Sequence, residues 1–162
     1  MGPAFSRAHG EAQYVTRVPD PSYLPTYGNR YVFAPLAQTS VGLETRFNVT
    51  FTPSLTLETY LQPLIASGDY GDPKQLVAPR TYDFTPYAGA VPNRDFNQRS
   101  LRCNAVVRGE WSRGSTMYFV WQQSRFDSPG IGDFEFARDR AALFDTRPDN
   151  IYLVKVSYWL GT

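Results

Sequence analysis

The chain has 162 residues, which corresponds to roughly one domain. Its 16 basic and 15 acidic side chains leave a net charge of +1. This balance excludes the domain-wide positive field that non-specific nucleic-acid binding needs. A single cysteine, Cys103, and a single histidine, His9, exclude a disulfide scaffold and a zinc module. A hydrophobic fraction of 42% is too high for a disordered chain, and 13 prolines with 12 glycines are too many for a helical bundle, which leaves an all-β fold. We therefore expect no metal, no cofactor and no nucleic-acid partner.

Alternation of apolar and polar residues predicts six strands, placed in windows free of proline because proline cannot donate to a sheet ladder. A weak first strand covers about 11–18, and the strongest pattern runs over 41–51. The other four strands are predicted at 55–62, 98–111, 116–125 and 151–160. A further short strand is expected at 31–33, inside the first long loop.

The connections between these strands alternate long and short, at 19–37, 52–54, 63–97, 112–115 and 126–149. Sorting of short turns to one end and long loops to the other is typical of outer-membrane barrels. Membrane strands need only about 9 to 11 residues each, so they leave almost no hydropathy signal. The loop order favours a barrel over the alternative, a half-buried antiparallel sheet of a water-soluble protein.

Aromatic side chains should gather at both membrane interfaces if the apolar faces of the strands meet lipid. Phe51, Trp111 and Tyr158 lie near the short-turn ends, and Trp121 and Tyr152 near the long-loop ends, so two girdles are predicted. The opposite faces carry charged residues, with Val106 as the one aliphatic breach of the polar face of the 98–111 strand, and they predict a wet or protein-filled lumen with cross-paired charges. Those charges are Glu44, Arg46, Glu58, Arg102, Arg108, Glu110 and Lys155.

Six strands are too few to close, because single-chain bacterial barrels begin at eight. We therefore interpret 1–162 as one segment, a partial transmembrane β-barrel of three hairpins from the C-terminal end of a longer protein, with 1–10 as a poorly defined start. On this interpretation we expect Met1 to be a boundary within that longer protein rather than its true start. The expected partners are the lipid bilayer, the rest of the same barrel, and the barrel-assembly machinery, which would recognise the aromatic-tipped strand at 151–160.

The last long loop holds the one predicted helix, at 133–145, with Asp133 as its cap. We expect it to lie on the barrel mouth or to plug it, either as a structural lid or as a partner-binding helix. No catalytic residue is predicted, and the chain is not expected to be an enzyme. His9 lacks a catalytic constellation, and the aspartates of the 63–97 loop are typical of turns rather than of an acid and base pair or a calcium site.

An alternative function is a soluble β-rich carbohydrate-binding module, which would make glycans the partner. Loop tyrosines would then serve as flat platforms on which sugar rings stack. The candidates for this role are Tyr23, Tyr27, Tyr70, Tyr82 and Tyr87.

Three parts of the chain carry a family resemblance. They are 27–34 (YGNRYVFA), 47–57 leading to 62–70 (FNVTFTPSLTL, QPLIASGDY), and 119–125 with 132–134 and 148–160 (FVWQQSR, GDF, PDNIYLVKVSYWL). Together they resemble the C-terminal part of a bacterial family, a domain of unknown function that follows a carbohydrate-binding family 9-like domain. The resemblance covers nearly the whole chain from about residue 11. It implies a barrel in the bacterial outer membrane that serves transport, anchoring or display of the preceding domain, and it implies no catalytic residue.

Overall fold

The computed structural model describes residues 2–160, which form nine strands, one short 3-10 helix and one α-helix. The strands are β1 (Pro3–Pro19), β2 (Asn29–Leu43), β3 (Thr45–Thr52), β4 (Leu55–Tyr70), β5 (Lys74–Leu76), β6 (Phe84–Pro86), β7 (Phe96–Ser112), β8 (Ser115–Asp127) and β9 (Asp149–Ser157). The 3-10 helix covers Leu24–Thr26, and helix α1 covers Phe136–Asp145.

All nine strands belong to one antiparallel sheet, whose long members follow one another in chain order. β2 and β3 are two parts of one long strand, because Gly42 faces Leu64 and Thr45 faces Leu61 of β4 in the same register. β4, β7, β8 and β9 then pair in succession, and β1 flanks β2. The prediction of an all-β antiparallel fold with one short helix is confirmed.

The connections separate the sheet into two ends. Two-residue turns at 53–54 and 113–114 lie at one end, here called the turn end. Gly114 has a φ of +74°, and a Cβ there would lie 3.0 Å from the Cβ of Trp159, so this turn requires glycine. The opposite end, here called the loop end, carries the 3-10 helix, the β5–β6 hairpin and α1.

Proline does not delimit the strands as predicted. Pro63 lies inside β4, at the level where β2 gives way to β3, so its missing N–H falls where the neighbouring ladder is already interrupted. The strand predicted at 55–62 therefore continues to Tyr70.

A β-bulge accommodates a second internal proline. Pro35 lies in β2 beside the register shift between Gly10 and Gln13 of β1, and its carbonyl accepts a hydrogen bond of 2.9 Å from the Gly71 N–H. Consequently 31–33 is part of β2 rather than a separate strand. β1 begins at Pro3, so most of the stretch predicted as a poorly defined start forms a regular ladder with β2.

β9 ends at Ser157, earlier than the predicted end at 160. Its last pair joins Ser157 to Thr116, and β8 begins at Ser115, so only Ser115 remains of β8 beyond that pair. The Trp159 N–H donates instead to the Ser115 hydroxyl, at 3.1 Å. The chain leaves the sheet there and crosses the turn at 113–114.

Fully buried apolar side chains form small groups rather than a continuous core. Ile65 and Leu101 lie on the sheet face that carries α1, and Leu143 lies on α1 itself, whereas Val15 and Val32 lie on β1 and β2. The accessible surface is 10957 Å², although a globular monomer of 18.3 kDa exposes about 8,100 Å². Much of both sheet faces is therefore open. Among residues 2–160, no helix has the length and apolar character needed to span a membrane.

Candidate functional site

The sheet has two unlike faces, which the strand register defines. The apolar face carries Leu57, Val107 and Phe119, and the polar face carries Glu58 and Tyr118. On each long strand, alternate residues belong to one face or the other.

An uninterrupted apolar row crosses five strands on the apolar face. Its members face one another pairwise across the sheet: Val49, Leu57, Val107, Phe119 and Val154. Large parts of this row meet solvent, since Val49, Phe119 and Val154 are 41%, 40% and 61% exposed. We call this row, with its neighbours on the same face from the turn end to the level of Trp121, the apolar band.

Aromatic residues lie at both limits of the apolar band. Trp121 faces Tyr152 directly across β8 and β9, and the Trp121 indole N–H donates to the Asn150 side chain at 3.0 Å. Phe51, Trp111 and Tyr158 lie near the turn end, each more than half exposed. Four of the five aromatics predicted as two girdles thus lie on strands at two levels of the sheet, and Tyr158 directly follows β9 at the turn end.

The polar face carries ion pairs that run along strands rather than across them. The Arg46 guanidinium lies 3.6 Å from Glu44, and that of Arg108 lies 3.9 Å from Glu110. In addition, the Arg46 guanidinium stacks over the Tyr60 ring at 5.1 Å. The predicted mixture of signs is present, and the two ion pairs formed among these charges join residues two apart in the chain.

An aliphatic patch interrupts the polar face near β9. Val106 faces Val120, which faces Leu153, and Ile151 lies on the same side. On β7 itself Val106 is the one aliphatic residue on the polar face between Arg102 and Glu110, as predicted, and the patch continues from it onto β8 and β9. Ile151 and Leu153 of β9 thus add apolar side chains to the polar face, on which Lys155 lies further toward the turn end.

Two hollows lie side by side at the centre of the polar face, with Tyr60 and Asn104 lining both. The first, of about 330 Å³, also contacts Arg46 and Glu58. The Oδ1 atom of Asn104 is buried and is the one buried side-chain polar atom without a hydrogen-bond partner among residues 2–160. This face therefore offers hydrogen-bonding groups and charges of both signs.

Helix α1 lies on the apolar face at the loop end and not over the polar face. It packs against β7 and β8 above Leu101, and the Arg125 guanidinium of β8 donates to backbone carbonyls at its C-terminal end, those of Phe144 and Thr146. The expectation of a plug is wrong. The helix begins at Phe136, and Asp133 does not cap it, because Asp133 accepts a hydrogen bond from Arg138 instead.

A buried polar cluster, here called the latch, fixes α1 to the sheet. Asp139 on α1 is fully buried, and its Oδ1 accepts hydrogen bonds from Arg138 (2.9 Å) and lies 3.2 Å from Arg99. Its Oδ2 accepts from the Asn97 side chain and the Glu135 N–H, both at 3.0 Å. Burial of Asp139 acts to raise the pKa of its carboxyl, but the hydrogen bonds from Arg138, Asn97 and Glu135 outweigh it and hold that pKa below 3.8.

The tyrosines predicted as a sugar platform are spread over the loop end. The Tyr23 hydroxyl donates to the Leu76 carbonyl, and the Arg30 guanidinium covers its ring at 4.1 Å. Tyr27 and Tyr82 are 85% and 71% exposed. Tyr70 ends β4, and Tyr87 follows β6. Within residues 2–160, no ring contact joins any two of the five.

Sequence reasoning missed a different aromatic chain at the loop end. Tyr14, Phe33, Phe84 and Tyr82 meet edge to face in that order, with ring centroids 5.7, 5.3 and 5.1 Å apart. The Lys74 ammonium lies 4.5 Å from the Phe84 ring centre. These residues come from β1, β2 and the β5–β6 hairpin, so only the strand register could have revealed the contact.

The titratable groups considered for catalysis are dispersed. His9 is exposed on β1 and lies 3.2 Å from Glu11. Asp69 lies in β4. Gly132 approaches it so closely that a Cβ atom on residue 132 would lie 2.6 Å from the Asp69 Cα. In the part of the chain that the structure describes, no three His, Cys, Asp or Glu side chains form a group that could hold a metal ion.

Comparison with known proteins yields no relative: no family model, no curated protein and no solved structure matches the chain. The apolar band and the polar face of the sheet are therefore the features that bear on function.

Proposed function

We propose that this chain forms part of the wall of a bacterial outer-membrane β-barrel, with the apolar band against lipid and the polar face toward the lumen. The single observation that carries the proposal is the apolar row from Val49 to Val154, which is continuous across five strands and open to solvent. An exposed apolar patch of this extent marks a surface that another phase or partner covers.

The size of the apolar band supports the proposal. On β7, the stretch between the helix-covered Leu101 and the turn runs from Cys103 to Trp111, which is nine residues. A tilted membrane strand needs about 9 to 11 residues. The aromatics at its limits have the amphipathic character that membrane interfaces favour.

The charges also support this orientation. Arg108, Glu110 and Lys155 lie at the levels of the apolar band but on the polar face. Charged side chains on the lipid face are costly near the bilayer midplane, whereas those facing a lumen are tolerated. The latch and α1 lie beyond the level of Trp121, where they would meet headgroups and water rather than hydrocarbon.

The open edges of the sheet support the proposal that further strands pair with this chain. In the part of the chain that the structure describes, the outer edges of β1, β3 and β9 have no strand beside them. Unpaired edges are templates for pairing with another strand. We propose that the rest of the same barrel pairs there after delivery by the barrel-assembly machinery, and that the barrel serves transport, anchoring or display of a carbohydrate-binding-like domain.

Extraction tests the proposal. The chain should remain with membranes after a carbonate wash, require detergent for solubility, and aggregate or oligomerise when transferred to detergent-free buffer. A monodisperse monomer with a cooperative melt in detergent-free buffer would contradict the proposal.

A soluble glycan-binding module is the second candidate, and the chain of aromatics from Tyr14 to Tyr82 is the observation that favours it. Both terminal rings are at least half exposed, which suits stacking on sugar rings. Under this function the chain would remain in the aqueous phase and bind polysaccharide. The extraction experiment therefore separates the two candidates.

A further inference from the structure

A small apolar cavity separates α1 from the sheet, on the apolar face at the loop end. Its volume is about 240 Å³. The residues around it are almost entirely apolar and come from β1, β2, β4 and α1; among them are Val41, Leu43, Pro63, Ile65, Leu143 and Phe144. An apolar cavity of about 150 Å³ is enough to hold a benzene molecule. The space therefore suits part of a hydrocarbon chain.

One charged residue borders this cavity. The guanidinium of Arg140 lies 5.9 Å from the ring centre of Phe136, and both residues line the cavity. Within residues 2–160, Arg140 makes no ion pair, whereas Arg138 on the same helix contacts Asp133 and Asp139. Arg140 is also exposed to solvent. A cation without a carboxylate partner at the mouth of an apolar space is complementary to an anionic headgroup on an acyl chain.

The location of the cavity agrees with that ligand. Val41 and Ile65 lie on the same face as the apolar band, further toward the loop end than Trp121. A chain in the cavity would thus continue onto the apolar band, while its headgroup met Arg140. The conclusion that the ligand comes from a membrane rests on the proposed function, which places the cavity at the level of the membrane surface.

We infer that the cavity beneath α1 binds the acyl chain of an anionic membrane lipid, with Arg140 contacting the headgroup. The occupant is one lipid molecule held at a defined place, in contrast to the exchanging lipids that would cover the apolar band. Both parts of the lipid are needed, since the cavity supplies apolar contact and Arg140 supplies charge.

The test uses the full chain in dodecyl maltoside, a neutral detergent with the same twelve-carbon chain as the probe. Dodecyl phosphate at about tenfold excess over its Kd should raise Tm by about 3 to 6 °C. Dodecyltrimethylammonium and inorganic phosphate should not raise it, because the first lacks the negative charge and the second lacks the chain. An equal rise in Tm with dodecyl phosphate and with dodecyltrimethylammonium would overturn the inference. A rise in Tm caused by inorganic phosphate, which has no acyl chain, would also overturn it.

Matched variants locate the site. Arg140→Gln should weaken dodecyl phosphate binding by about three- to tenfold, whereas Arg147→Gln, another exposed arginine outside the cavity, should leave it unchanged. Val41→Phe should abolish the shift by filling the cavity, whereas Val49→Phe, on the same face within the apolar band, should retain it. If Val41→Phe fails to fold, relaxation of Leu143 methyl signals by a nitroxide-labelled amphiphile provides the same test. Unchanged binding in Arg140→Gln, or absence of Leu143 relaxation, would contradict the assignment.

The same preparation distinguishes failure of this inference from failure of the proposed function. If the chain requires detergent but the Tm shift does not depend on Arg140, the lipid site is wrong and the barrel wall stands. If the chain is a soluble monomer and the Arg140-dependent shift persists, the cavity binds an anionic amphiphile without a membrane around the sheet.

Discussion

Asp139 makes four hydrogen-bonding or ionic contacts, two of which, to Asn97 and Arg99, join the helix to the sheet, although it lies between two charged residues of the helix. Asn97 and Arg99 on β7 reach it from about 40 positions away in sequence. The sequence places Asp139 among Arg138 and Arg140, where it resembles a surface charge. Only the fold shows that it is buried, because nothing local specifies which side chains of β7 lie under the helix.

Asp139→Asn should detach α1 from the sheet. The substitution removes the charge that Arg99 and Arg138 share, and breaking one partner of a buried ion pair costs about 3 to 5 kcal/mol. Hydrogen exchange over 136–145 should rise while exchange in the β7–β8 ladder stays slow. Asp133→Asn is the control, because Asp133 is exposed and its loss should have the small effect of a surface ion pair. Equal protection of the helix in wild type and Asp139→Asn would contradict the latch.

Acid should release the helix only below the ordinary range of aspartate titration. The pKa of Asp139 in the folded protein lies below 3.8, so the latch contributes fully above that value and loses strength as the pH falls through the lowered pKa. Proteolysis within 136–145 should therefore be slow at pH 5 and increase below about pH 3.8. The Asp139→Asn variant should lack this dependence. Release of the helix between pH 5 and pH 7 would contradict the assignment.

At the scale of elements, periodicity predicted the six long strands and their antiparallel order, since each strand buries or exposes alternate residues. It failed at Pro63 and Pro35, where an interrupted ladder and a bulge accommodate proline inside a strand. It also left open a plugging position for α1, whereas the helix packs on the apolar face at the loop end. Sheet pairing is visible in a local pattern, whereas docking of a helix depends on contacts between distant segments.

Adjacent valines on β7 provide a matched test of the two faces. Val107 lies in the apolar row, and Val106 faces Glu58 on the opposite side. Val107→Arg should destabilise the chain folded in lipid vesicles by about 2 to 4 kcal/mol, the cost of an arginine near the bilayer midplane. Val106→Arg should have a much smaller effect, because Glu58 supplies an opposite charge. Urea unfolding of both variants in vesicles gives the comparison, and equal losses would mean that the faces are wrongly assigned.

At the scale of the whole molecule, a largely single-layered sheet with open edges and small buried groups does not provide the continuous core expected of a water-soluble domain of this size. Its apolar surface requires a cover, and the proposed cover is lipid on one face and further protein at the edges. Composition predicted the β-rich fold but not the lack of a continuous buried core, because a hydrophobic content of 42% is ordinary for a globular protein. The shortage of buried apolar side chains becomes visible only when burial is measured on the folded chain.

Spin-label accessibility in phospholipid vesicles tests the barrel wall most directly. In a Cys103→Ala background, a nitroxide is attached to a cysteine at position 107 or at position 106, and its relaxation is measured with oxygen, which concentrates in lipid, and with a water-soluble nickel chelate. The account predicts oxygen contact at position 107 and chelate contact at position 106. Equal chelate contact at both positions, or the reverse pattern, would contradict a lipid-facing apolar band.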